Sequence, residues 1–313
     1  MKKILYILFV FIFCGIFQLK AEEISYLLTA SAKGDLETVK AIIQSGGDPN
    51  TEDKDKINAL MYASRKNQVA IVEYLISQGA EINKVESDGW TALMFAAKKN
   101  YTKTVETLLN NNADPKITDP DGWSAYGLAA TSGHYETIDL LLKGGIDPNS
   151  RNNSGLTVLM LAGKSGSVKT IEILINNGAK VELKDRYGKT ALIHASSNGN
   201  ENAINSLVYK GAKVDNIDNS EWTALTWAIK NKKYKAAKVL ILHKANVNHK
   251  DNEGTYLIHY ATHSKSIKLI KLLVDANANL KAKDQYGLTA LVYALKNKNG
   301  KIINLIKDAG GEY

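Results

Sequence analysis

The sequence repeats itself every 33 residues. Gly89-Trp90-Thr91-Ala92-Leu93 returns as Gly122-Trp123-Ser124-Ala125-Tyr126, then as Gly155-Leu156-Thr157-Val158-Leu159, Gly188-Lys189-Thr190-Ala191-Leu192 and Gly287-Leu288-Thr289-Ala290-Leu291. The threonine position steps through Asn58, Thr91, Ser124, Thr157, Thr190, Thr223, Tyr256 and Thr289 without an insertion. Five residues further on, alanine fills every copy: Ala30, Ala63, Ala96, Ala129, Ala162, Ala195, Ala228, Ala261 and Ala294. Nine copies in register are a linear array of one small unit. They override the two ordinary domains that a length of 313 residues suggests.

Each column of the repeat has a physical reading. Thr91 and its equivalents cap a first helix, and the invariant alanine lets the neighbouring helix approach closely. That helix stops at Gly34, Asn67, Asn100, Gly133, Gly166 or Gly199, residues that tolerate a positive φ. In the last three copies the stop is Lys232, Lys265 and Lys298, so those repeats are expected to be locally weaker. A second helix follows, with apolar residues at helical spacing such as Val72, Leu75 and Ile76 or Ile171, Leu174 and Ile175. It ends at Gly79, Asn112, Gly145, Gly178 or Gly211, and a polar hairpin leads into the next copy. No such unit buries its apolar face alone, so stability accrues from neighbour to neighbour. The ends should act as caps. The first copy lacks its own hairpin, and in the last Lys307 replaces the apolar residue held elsewhere by Leu109, Leu142 or Val274.

These residues resemble the ankyrin-repeat family, whose mark at this period is Thr-Pro-Leu-His-x-Ala. The resemblance runs from about Ser25 to the C-terminus. Two departures stand out: Ala or Val mostly replaces the Pro, and only His259 keeps the His. The resemblance implies an all-α solenoid of nine helix-turn-helix-hairpin units in a curved stack roughly 80 to 90 Å long, at helix spacings of about 8 to 10 Å. It also implies that a protein partner docks on the concave face of hairpin tips and first helices. The family's variable contact positions fall on the residue before the threonine column and those seven and eight after it. They give Trp90, Trp123 and Trp222, with Arg65, Lys66, Lys98 and Lys99, as candidate partner-binding residues. Exposed tryptophan beside a cation is a frequent hot-spot composition. The competing reading is that the tryptophans brace neighbouring hairpins.

The opening of the chain reads as an address. Lys2 and Lys3 precede the apolar run Ile4 to Phe17, and Gln18-Leu19-Lys20-Ala21 leads into Glu22-Glu23. Residues 1–21 are therefore expected to be a secretory signal peptide cleaved after Ala21, with residues 22–313 forming the repeat domain. Fourteen residues at about 1.5 Å each fall short of a hydrocarbon layer of about 30 Å. The alternatives are an uncleaved anchor and a lipoprotein on Cys14, against which stand the bulky Phe11-Ile12-Phe13. The expected location is the periplasm or outside the cell, as in bacterial envelope ankyrin proteins that assist or shield other proteins. Cys14 is the only cysteine, so the mature chain has no disulfide, thiolate ligand or cysteine nucleophile.

Charge divides unevenly. Residues 22–150 carry 12 Lys+Arg against 19 Asp+Glu, whereas residues 151–313 carry 25 against 13. Such a field steers an acidic protein, or polyanionic envelope material, onto the C-terminal half. Nucleic acid is not expected outside the cytoplasm, and the chain is expected to be a monomer without cofactor or metal. His259 and His263 are four apart on one helix, but Tyr260 stands where a zinc protease has Glu and no third ligand is evident. His194 sits in a column of packed residues (Phe95, Leu128, Trp227 and Tyr260). No catalytic constellation emerges, so a non-enzymatic binding scaffold is the expected function.

Overall fold

The structure, a computed structural model, describes residues 26–313. The expected leader, its cleavage point and Cys14 lie outside them. Among the described residues the chain forms eighteen helices and no strand; three isolated bridges, Glu52 with Asn58, Arg151 with Thr157 and Lys250 with Tyr256, span the bases of hairpins. The helices fall into nine pairs. α1 covers residues 26–33 and α2 Leu36–Gln44. The pairs continue as α3 (Ala59–Arg65) and α4 (Val69–Ser77), α5 (Ala92–Lys98) and α6 (Thr102–Asn110), and α7 (Ala125–Thr131) and α8 (Tyr135–Lys143). Then come α9 (Val158–Ser165) and α10 (Val168–Asn176), α11 (Ala191–Asn198) and α12 (Glu201–Tyr209), and α13 (Ala224–Lys230) and α14 (Tyr234–Leu242). The last are α15 (Leu257–His263) and α16 (Ile267–Asp275), and α17 (Ala290–Lys296) and α18 (Gly300–Asp308). Two compact units result, one up to Ile146 and one from Asp147 to Tyr313.

Within each unit, first helices pack on first helices and second on second. The order is α3, α5, α7 beside α2, α4, α6, α8, and α9 through α17 beside α10 through α18. The alanine column explains the close approach: all nine alanines are buried, eight of them at 1% exposure or less. Asparagines link successive hairpins. Asn50 accepts from the Glu81 backbone N–H at 2.7 Å and donates to the Gly79 carbonyl, and Asn149 repeats the arrangement with Lys180 and Gly178.

The cap column holds, with variations. Asn58, Thr91, Thr157, Thr190 and Thr223 accept the N–H three residues on. Thr289 instead donates to the Glu312 carbonyl at 2.7 Å, fastening the C-terminal tail. At Tyr256 the roles reverse, and His259 Nδ1 accepts the Tyr256 backbone N–H at 3.3 Å. Every first-helix stop has positive φ, including Lys232 at 57°, Lys265 at 55° and Lys298 at 52°. Lys56 and Glu221 also adopt this conformation, at hairpin tips where other copies have glycine. Lys307 is exposed, as a terminal cap requires, with its ammonium 6.0 Å from the Tyr313 ring.

Candidate functional site

The hairpin carries a conserved local device within this chain: a carboxylate or amide that ties the turn. In Asp53, Glu86, Asp119, Asn152, Asp185, Asp218, Asp251 and Asp284, side-chain oxygen accepts the backbone N–H groups two and four residues on. This Asx-type turn fixes the residue just before each first helix, which is the column of Trp90, Trp123 and Trp222. The second oxygen then receives a donor nine residues on, from Tyr62, His194, Trp227, Tyr260 or Tyr293. The copies with Phe95, Leu128 and Leu161 in that column have no such donor side chain.

The three tryptophans are all half-buried but packed differently. Trp90 tilts onto Phe95, with ring centroids 5.2 Å apart. Trp123 lies across its own helix, so closely that a Cβ at Gly127 would fall 2.0 Å from its Cε3. Trp222 reaches the next hairpin: its Nε1 donates to Asp251 at 3.0 Å, and its ring meets Trp227 at 4.9 Å and Tyr260 at 5.3 Å. Arg65, Lys66 and Lys99 are exposed. Lys98 is half-buried and donates to Thr131 at 3.1 Å, which engages it with the neighbouring first helix. Trp90 and Lys98 stand at opposite ends of α5, roughly 12 Å apart along its axis. These residues of the first unit therefore share one face without forming a single contact cluster.

In the second unit aromatic rings and cations do converge. Lys189 sits 3.6 Å over Trp227; Lys230 lies 5.4 Å from Trp222 and 4.9 Å from Tyr260; Lys296 approaches Tyr293 at 5.7 Å. Trp222, Lys230, Tyr260, His263, Tyr286 and Tyr293 line a groove of about 280 Å³. Of these Trp222 was a named sequence candidate, and Lys230 and His263 fall in the contact columns seven residues after Thr223 and Tyr256. Tyr260 and Tyr293 stand in the column nine residues after the hairpin acid, which is aromatic in each of the last three copies.

Tyr260 and Tyr293 of the groove keep their protons, held on the hairpin acids. Burial and the Asp251 hydrogen bond push the Tyr260 hydroxyl far above its usual range. The Asp284 hydrogen bond and burial raise Tyr293 to about 12. Burial alone would raise Asp284, but donors from Tyr293, Leu288 and Tyr286 together hold it below its usual value. His259 uses both ring nitrogens, Nδ1 on Tyr256 and Nε2 on the Leu288 carbonyl at 3.1 Å. With Nδ1 accepting, Nε2 carries the proton, so the single in-plane lone pair of the ring is already engaged by Tyr256. Burial lowers the His259 pKa. His194 donates from Nε2 to Asp185 at 2.9 Å; burial lowers its pKa too, against the pull of that carboxylate. Among the described residues no cluster of three or more His, Cys, Asp or Glu is placed to hold a metal ion. Nor is any described helix long and apolar enough to cross a membrane.

Helix pairs joined by hairpins and stacked side by side within each unit define a helical repeat solenoid. The family model for ankyrin repeats (3 copies) matches at residues 27–119, 103–185, 182–251 and 241–313, and the chain belongs to that family. Ankyrin repeats make it a protein–protein interaction domain, and proteins of this kind are generally non-enzymatic. No curated protein matches the chain.

Proposed function

We propose that this protein is a non-enzymatic scaffold working outside the cytoplasm, in the periplasm or beyond it, which binds a protein partner through its hairpin tips and first helices. The observation that carries the reading is the row Trp222, Tyr260 and Tyr293 in one groove, held by Asp251 and Asp284 and rimmed by Lys230 and His263. A rigid aromatic floor supplies contact area at little entropic cost, and preformed surfaces lose less on binding. The Lys230 ammonium, in a lining that also holds Glu253, favours a partner segment that pairs an apolar side chain with a polar group. In the first unit, Trp90 and Trp123 with Arg65, Lys66, Lys98 and Lys99 offer the same composition over a wider area. The leader-like opening, Lys2 to Ala21, supports export.

The test is crosslinking of the purified protein to an envelope fraction, with K230E and R65E/K66E variants beside the wild type. These side chains are exposed, so the fold should survive, as far-UV circular dichroism will show. The reading requires one defined crosslinked protein whose yield falls at least tenfold in one of the two variants. Equal yields from all three proteins, or no specific crosslink, would exclude this face.

A further inference from the structure

The second helices of the last three repeats, with the turns that lead into them, present a lattice of lysines that nothing in the binding face uses. Lys232, Lys265 and Lys298 occupy one column at 33-residue spacing, Lys235, Lys268 and Lys301 the next, and Lys238 and Lys271 a third. All eight are exposed. Lysines three apart on a helix stand about 5 to 6 Å from each other. α14, α16 and α18 pack side by side, at a usual spacing of about 8 to 10 Å. The lattice is therefore dense; among the described residues only Lys235 has a carboxylate within 4.0 Å, Glu201 at 3.5 Å, while Asp275 stands one turn beyond Lys271 on α16.

This arrangement works against the fold. Lys235, Lys268 and Lys301 are second residues of their helices, where the partial positive charge of the helix N-terminus repels a cation. The same column holds Glu37 in α2 and Glu136 in α8, the choice that helix stability favours, and isolated lysines, Lys103 and Lys169, in α6 and α10; only the last three copies hold lysine in succession. Local stability therefore does not explain the lysines.

A second observation says what they face. Nine large apolar or aromatic side chains are exposed among the described residues, and four of them lie on these helices or on α12 beside them. They are Tyr209 at 82%, Leu242 at 69%, Ile267 at 41% and Tyr234 at 37%. Lys235, Lys238 and Leu242 share one face of α14, being separated by three, four or seven residues, and Tyr234 lies four residues before Lys238. On α16 Lys271 lies four residues after Ile267 and three after Lys268. A hydrated polyanion satisfies the lysines but gains nothing from exposed leucine and isoleucine. An anionic bilayer satisfies both, because the cations meet headgroups while the apolar side chains enter the interface.

We propose that this second-helix face of the C-terminal repeats, centred on Lys238, Lys268, Lys271, Leu242 and Ile267, docks peripherally on the surface of an anionic lipid membrane. It does so independently of the partner-binding face, and no helix among the described residues is long and apolar enough to span the bilayer.

The experiment is vesicle sedimentation of the purified protein. One set of vesicles is phosphatidylcholine alone; the other is phosphatidylcholine and phosphatidylglycerol in equal parts. The protein is expected to bind the anionic set and to be released by salt, while leaving the neutral set unbound. Each lysine contributes about fivefold to partition, so the K238Q/K268Q/K271Q variant should bind the anionic vesicles roughly 100-fold more weakly. L242S/I267S should lower partition severalfold while keeping its salt dependence. The lysine variant should unfold at the same or higher urea concentration than wild type, which separates loss of docking from loss of fold. Equal binding to both vesicle types, or an unchanged partition in the lysine variant, overturns the proposal. So does wild-type binding to soluble polyphosphate that competes fully with vesicles while L242S/I267S behaves like wild type.

Discussion

The contact between Trp123 and Gly127 allows a test in which one substitution changes sign. An alanine at 127 would place its Cβ 2.0 Å from Cε3 of Trp123, 2.7 Å from Cδ2 and 2.8 Å from Cζ3. Carbon atoms rest at about 3.5 to 4.0 Å, so the indole would have to withdraw by roughly 1.5 Å from its seat on α7. Overpacking of this kind costs about 1 to 3 kcal/mol. Replacing a glycine inside a helix returns about 1 kcal/mol, because alanine loses less backbone entropy on folding. G127A alone should therefore destabilise by up to about 2 kcal/mol. In a W123L background the obstruction is gone, as in the repeat where Leu156 coexists with Met160 in the two columns. There G127A should stabilise by about 1 kcal/mol, giving a coupling energy of about 1 to 3 kcal/mol. Urea unfolding of the four proteins of this cycle, followed by far-UV circular dichroism, measures it. If G127A stabilises the wild type, or the coupling falls below about 0.5 kcal/mol, the indole does not lie on α7 and the packing argument fails.

Two further predictions rest on backbone and titration. Lys232, Lys265 and Lys298 each hold a left-handed conformation that costs a side-chain-bearing residue about 1 to 2 kcal/mol, part of which glycine returns as unfolded-state entropy. K232G/K265G/K298G should therefore gain roughly 0.5 kcal/mol per site and raise amide-exchange protection in α13 to α18; lower protection would refute the reasoning. Burial lowers the His194 pKa from its ordinary 6.5, so the unfolded chain binds the proton more readily. The stability contributed by neutral His194 is thus fully present above pH 6.5 and is lost as pH falls through the lower folded value. H194F, which installs the residue found at Phe95, should make the decline in urea midpoint on acidification shallower. His259, shifted in the same direction, leaves a residual slope. An unchanged slope in H194F would place the titration elsewhere.

Periodicity alone located the helices, caps and stops, because those features depend on residues a few positions apart. The unusual positive φ at Lys232, Lys265 and Lys298 was legible for the same reason: the column had been set by glycine and asparagine in other copies. The tryptophans show where this logic ends. Trp90, Trp123 and Trp222 share a column, yet one leans on Phe95, one crosses Gly127 and one crosses to Asp251. What distinguishes them is the identity of a residue four or five positions away, or 29 away in the next repeat, so no reading of the column by itself separates them.

The aromatic groove is the sharper case. Trp227, Tyr260 and Tyr293 each read as one more packed side chain in its own copy, and Asp218, Asp251 and Asp284 as turn formers. Only the stacking of hairpin on hairpin aligns acid, ring and lysine from successive copies into one surface. The sequence determined by itself that this chain is a one-dimensional array of helix pairs, since a strict period leaves each unit dependent on its neighbours. The tertiary structure decided which side chains are spent on bracing and which are left to bind. That choice follows from distances between repeats, and residues 33 apart in sequence become adjacent only once the units have packed.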